Sequence, residues 1–192
     1  GHSDTEVILE SIRCWGLNNA ITRFTGMFAM AIWDKSKRTL HLTRDRIGEK
    51  PLYYGWVGKV LLFGSELKAL RMHPDWDGEI DPDALALFVQ HCYVPTPYSI
   101  YKNIFKVDQG TIATFKHKSM SPLSQPDKIN YWSANELVEL GQNNLLQTND
   151  SEAIEFLDGL LKQSIKHLHM VCEIYSDPRL QPNVTNVTKS TQ

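Results

Sequence analysis

Cysteine is scarce in this sequence: Cys14, Cys92 and Cys172 are odd in number and widely spaced. That excludes a disulfide framework, and a reducing, cytoplasmic setting is the expectation. An excess of one charge is missing too. Lys and Arg number 20 against 22 Asp and Glu, for a net charge of −2, and no basic block stands out. Nucleic acid and anionic membranes are thereby excluded as main partners. No uninterrupted apolar run approaches the ~20 residues of a membrane span. No basic segment followed by an apolar one opens the chain, as a secretory leader would require. The phosphate loop G-x-x-x-x-G-K-[ST], the dinucleotide motif G-x-G-x-x-G and the nucleophile elbow G-x-S-x-G are all absent. His167 and His169 are two residues apart, so on a helix they diverge and make a poor metal pair. No metal and no cofactor is expected for this chain. Two glycosylation sequons, at Asn183 and Asn186, are read as chance, since no secretory route is expected.

What is present suits an ordinary globular protein. Hydrophobic residues make up 42% of the chain, with five tryptophans, enough for one domain with a good core and a tail. SDTEVIL, Ser3 to Leu9, starts a helix as a capping box: Ser3 and Glu6 can each take up an orphan N–H of the first turn. That helix is expected over Asp4 to Trp15, with Ile8, Leu9, Ile12 and Trp15 on its apolar side and Gly16 ending it. Asp4 reads locally as a first-turn acid favoured by the helix dipole. A second short helix is expected near Asn18 to Phe24.

The period then changes. MFAMAIWD, Met27 to Asp34, reads as a buried strand, and TLHLTRD alternates as a half-buried one. LYYGWV and VLLFGS flank Gly58-Lys59, a two-residue hairpin loop. The short connections imply antiparallel pairing, with these four strands side by side in one sheet. Asp81-Pro82 starts a helix that should bury Leu85, Phe88 and Val89. GTIATFKH is a further strand, with INYW as a candidate partner. A last helix from Ser151 to Met170 repeats Ile154, Leu157, Leu161, Ile165 and Leu168 at helical spacing. Beyond Met170 the pattern collapses, and the tail is expected to be disordered. The fold class is therefore α+β, dominated by antiparallel strands.

Candidate chemistry is sparse. Cys14 and Cys92 each lie near a helix end, and a free buried thiol is the expected state of both rather than a nucleophile. RDRIGEKPLYYG, Arg44 to Gly55, is the densest polar stretch. It reads as a charged turn between strands, with Gly48 at an unusual φ; the alternative is a loop facing a ligand.

HSDTEVIL, WGLNNAITRFTGMFAMAIWD, RDRIGEKPLYYG, FGSELKAL and YVPTPYSIYKNIFKV, in this order and spacing, closely resemble glutamine-hydrolysing asparagine synthetases. The resemblance covers about His2 to Met170, and the Gly-Glu-Lys-Pro form is similar to the bacterial members. It implies a partial N-terminal-nucleophile αββα fold over residues 1–132, then a linker and the first helix of a synthetase domain over 133–170. A divergent, disordered tail would occupy 171–192. In the family an N-terminal cysteine attacks the glutamine amide, with its own amine as base and an Asn-Gly pair as oxyanion hole. The ammonia passes to an ATP- and magnesium-dependent domain that activates aspartate as an adenylate. The aspartate of the S-D-T-E segment holds the ammonium of glutamine, and that position here is Asp4.

Departures from the family pattern shape the rest of the expectation. Gly1 stands where no nucleophilic cysteine, carboxylate-gripping arginine or Asn-Gly pair precedes it. VCEIYSDPRLQP replaces the family's strand and S-G-G-[ILV]-D-S loop. The chain is thus expected to be an internal fragment without catalytic residues of its own, binding glutamine weakly or not at all. An exposed apolar sheet face or an unpaired sheet edge should follow. The alternative is a non-catalytic interaction module on the same scaffold, with a full-length homologue or a second copy as partner.

Overall fold

The computed structural model describes residues 3–117 and 121–169. The tail from Met170, with Cys172 and both sequons, lies outside the described residues. Helix α1 (Asp4–Trp15) begins at Ser3, whose Oγ accepts from the Glu6 N–H at 3.4 Å. It ends at Gly16, where φ is 75° and the N–H returns to the Ile12 carbonyl. Helix α2 (Leu17–Ile21) follows directly.

Strands β1 (Ala29–Asp34) and β2 (Thr39–Arg44) form an antiparallel hairpin. So do β3 (Tyr53–Val57) and β4 (Val60–Gly64), closed by Gly58 at φ 58°. Asp34 closes the first turn by accepting from the Ser36 hydroxyl and from the Ser36 and Lys37 N–H groups. These bonds, led by the hydroxyl, pull its carboxyl down to about 2. The later strands are β5 (Ile104–Lys106), β6 (Thr111–Lys116) and β7 (Asp127–Asn130).

The four early strands do not share one sheet. The first sheet has the order β1-β2-β6-β7 and the second β4-β3-β5, with every pairing antiparallel. Both edges of β2 are taken, by β1 and β6, so β3 has no place beside it. Stacking the hairpins face to face also covers the apolar side of each, which a single flat sheet would leave bare. Leu40 and Leu42 of β2 and Phe115 of β6 meet Leu52 and Tyr54 of the second sheet in this inner core. There Tyr54 sets its ring edge-on to Phe115, and burial pushes its phenol up to about 12. On the outer face of the first sheet lie α1 and α2, with Ala20, Ile21 and Phe24 against Ile112. On the outer face of the second sheet, Leu70 of helix α3 (Leu67–Leu70) packs on Val57 and Ile104. The layers therefore run helix, sheet, sheet, helix, an α+β fold as the sequence implied.

Two expectations about the apolar helix faces fail. Helix α4 (Pro82–His91) is capped by Asp81 as foreseen, but it buries Ala84 while Leu85, Phe88 and Val89 are exposed. Leu9 of α1 also faces out, because only Ile8, Ile12 and Trp15 reach the sheet. Helix α6 (Asp150–His169) forms close to the expected bounds, helix α5 (Ala134–Asn143) lies in the segment expected as a linker, and the apolar residues of both are exposed. β1 and β4 each end a sheet, and Trp33 of β1 and Phe63 of β4 are exposed.

Candidate functional site

Asp4, the one site residue read from the sequence, is the first residue of α1 and is exposed. Ser3 serves as the cap, so the Asp4 carboxylate is not engaged in closing the helix. Among the described residues nothing hydrogen-bonds it. Its position is fixed from behind: Ile8, Ile12 and Trp15 seat α1 on the first sheet, and the Arg23 guanidinium lies 4.6 Å over the Trp15 ring. Asp4 is thus a free carboxylate on an anchored helix start, where the N-terminal dipole favours its charge.

The stretch from Arg44 to Lys50 is no loose charged turn. Asp45 is buried, and its carboxylate accepts from the backbone N–H groups of Glu49 at 2.8 Å, Lys50 at 3.0 Å and Phe28 at 3.3 Å. Arg44 is buried as well and donates to the carbonyls of Lys50, Val107 and Gly48. Burial pulls its guanidinium below the ordinary value, and the adjacent Asp45 opposes that shift. Arg46 turns the other way and donates to the carbonyls of Phe24 and Thr22, at 2.6 and 2.8 Å. The Tyr131 hydroxyl closes the group on the Arg44 carbonyl, and its burial pushes the phenol up. One short loop therefore ties β2, the entry to β1, the end of α2 and the segment after β7. A signal for this existed in the sequence: Leu40, Leu42 and Arg44 share one face at period two, so Arg44 points with the leucines into the sandwich.

His41 stands on the opposite face of β2, its Nδ1 3.0 Å from the Thr114 hydroxyl of β6. Burial lowers its pKa; Asp34 opposes this and Lys37 adds to it. The folded protein therefore resists protonating His41, whereas the unfolded chain takes the proton near 6.5. The stability from the neutral ring is complete above that value and is lost as the pH falls from it toward the lower folded pKa. Between about pH 7 and about pH 5 the chain is expected to lose more stability than its His41→Gln variant does. Parallel losses in denaturant titrations of the two proteins would refute this.

Neither described thiol is buried. Cys14 and Cys92 are both exposed, since each sits on the solvent side where its helix ends. Among the described residues neither thiol is hydrogen-bonded to a base, and no three His, Cys, Asp or Glu side chains converge as a metal ion would need. No described helix is long and apolar enough to cross a membrane.

The family described as "Glutamine amidotransferase domain" matches residues 1–136, the sandwich and the start of α5. The chain belongs to this family. Among curated relatives, a putative glutamine-hydrolysing asparagine synthetase 2 of Methanocaldococcus jannaschii is 41% identical over 108 residues, which is 55% of this chain and 21% of that protein. Glutamine-hydrolysing asparagine synthetases 3 and 1 of Bacillus subtilis are 35% and 37% identical, over 62% and 59% of this chain. This amidotransferase-domain chain spans 19% and 18% of those two proteins, about a fifth of their length. In the amidotransferase domain, the loop of Arg44 and Asp45 is the buried feature that reading the sequence for sites missed. Asp4 is the surface feature it singled out.

Proposed function

We propose that this chain is a fragment of a glutamine-hydrolysing asparagine synthetase that carries part of its glutamine site. In this reading Asp4 holds the substrate ammonium, and the 192-residue polypeptide alone does not hydrolyse glutamine. The observation that carries the proposal is the family match over residues 1–136, together with relatives named for glutamine hydrolysis. The position of Asp4 supports its role. A carboxylate at a helix start, not spent as the cap, can face a cation while the backbone stays fixed.

Amide hydrolysis needs a nucleophile to attack the side-chain carbonyl and a base to take the proton of that nucleophile. The amide nitrogen then leaves as ammonia, and water releases glutamate. Cys14 and Cys92 do not suit the first role, because each lacks a base within hydrogen-bond reach among the described residues. ATP and magnesium would serve a synthetase half. The described residues contain neither a converging set of metal ligands nor the S-G-G-[ILV]-D-S loop, so they do not fit either group.

Two measurements test the proposal. The purified 192-residue chain is expected to release no ammonia from glutamine above the no-protein rate. Release in a preparation free of host amidotransferases would overturn the inactivity. A chimera with residues 3–136 placed between the N-terminal segment and the synthetase half of B. subtilis asparagine synthetase 1 is expected to make asparagine from glutamine. A chimera that uses free ammonia but not glutamine would sink the amidotransferase role.

A further inference from the structure

We propose that Lys106 is an acylation site, whose side-chain amine takes a small acyl group from an acyl phosphate. The inference stands apart from the amidotransferase reading. Lys106 ends β5 of the second sheet, whereas Asp4 starts the helix on the first.

The described lysines fall into three settings. Lys37, Lys68, Lys102, Lys116, Lys128 and Lys162 each pair with a carboxylate. An adjacent negative charge favours the ammonium form, which is not a nucleophile. Lys35, Lys50 and Lys59 are exposed, and water solvates their charge. Lys106 belongs to neither group. It is partly buried, and among the described residues its ammonium hydrogen-bonds only the Val94 carbonyl, a neutral acceptor.

The fold imposes that setting. Lys106 lies opposite Tyr53 in the β3–β5 register, and its backbone N–H donates to the Pro97 carbonyl at 2.8 Å. Residues 94–97 therefore run beside β5 and bring the Val94 carbonyl to the amine, and none of the four carries a charge. The next residue, Val107, gives its carbonyl to Arg44 Nη1 at 2.8 Å, which brings a guanidinium up to the lysine. Arg44 is buried and held by the carbonyls of Gly48 and Lys50 as well, so it cannot swing away. Burial first, and the Arg44 charge second, hold the Lys106 ammonium below the ordinary lysine value.

These features suit acyl transfer. The neutral amine can keep one N–H on the Val94 carbonyl, which leaves its lone pair directed away from that backbone. The lone pair attacks the acyl carbon and a C–N bond forms. The C–O bond to phosphate breaks, phosphate leaves with the electron pair, and the amine proton passes to water. The field of Arg44 draws in the phosphate and favours its departure as an anion. The product also fits: its amide N–H can still donate to Val94, and the like charge beside Arg44 is gone. Partial burial restricts the donor to small acyl groups, and acetyl phosphate is the natural probe.

The 192-residue chain is treated with acetyl phosphate, and each lysine is followed by peptide mass spectrometry. Lys106 is expected to be labelled about 5-fold or more faster than Lys35 or Lys59, because a larger share of its amine is neutral. In concentrated guanidinium chloride that preference should vanish, since the fold creates it. Lys106→Arg should remove the fast phase of total incorporation and leave the rates at Lys35 and Lys59 unchanged. Labelling of Lys106 no faster than that of Lys59 in the folded chain would overturn the proposal. So would a preference that persists in the denaturant, or a fast phase that survives in Lys106→Arg.

Discussion

Replacing Asp45 by alanine is expected to remove about 3–5 kcal/mol of stability and to lower the melting temperature by roughly 10–15 °C. Asp45 is 1% exposed, so water cannot take over for its carboxylate. Three backbone N–H groups, of Phe28, Glu49 and Lys50, would lose their acceptor in one step. A buried donor left without a partner costs about 1–3 kcal/mol, and these three belong to two segments that the loop holds together. The neighbouring guanidinium of Arg44 would also lose its nearest negative charge while remaining bonded to carbonyls alone. Asparagine at position 45 keeps one carbonyl acceptor and the shape, so Asp45→Asn should fall between the parent and the alanine variant. Asp108 provides the contrast. It pairs with Lys128 at 2.7 Å, but both side chains are about one-third exposed, and Asp108→Ala should cost less than about 1 kcal/mol. An Asp45→Ala protein within 1 kcal/mol of the parent in urea titration would mean that water or a shifted loop replaces the carboxylate.

The parts of this fold that were legible in the sequence are those decided by neighbouring residues. The Ser3 cap, the Asp81-Pro82 start and the Gly58 hairpin turn each depend on groups within a few positions, and all three form as read. The division into two sheets depends on β6, which comes far along the chain and claims the free edge of β2. No local signal announces that competition. Burial of α4 was overread for a related reason. An apolar stripe states that a face needs cover but not where the cover lies, and Phe88 remains exposed here. The cysteines were misread through a residue-type average, while their placement on the outward side of α1 and at the end of α4 decided their exposure. Arg44 and Asp45 were legible in part. Strand period alone puts Arg44 on the face of Leu40 and Leu42, but the stretch was read as a charged turn, and the network of backbone partners that buries it is visible only in three dimensions. Asp4 had the weakest local signal of all, since any acid suits a first helical turn.

Asp4→Asn in the chimera described above is expected to raise the glutamine KM by roughly 30-fold or more, the effect of removing one partner from a desolvated charge pair worth about 2–5 kcal/mol. Asparagine is the informative substitution because it keeps the size and one acceptor oxygen and removes only the charge. At saturating glutamine the turnover should change little, because an ammonium held equally in the ground and transition states contributes to binding and not to the chemical step. Ammonia-dependent asparagine formation should be unaffected, since that reaction does not use the glutamine site. The helix should also tolerate the change. Ser3 remains the cap and Glu6 keeps its N–H bond to Ser3, so only the dipole interaction of a first-turn acid is lost, about 0.3–1 kcal/mol. The two roles of Asp4 therefore separate in one pair of measurements. A binding carboxylate gives a large KM change with a small change in melting temperature. A carboxylate that serves only the helix start gives an unchanged KM with a lowered melting temperature, and that result would remove Asp4 from the glutamine site.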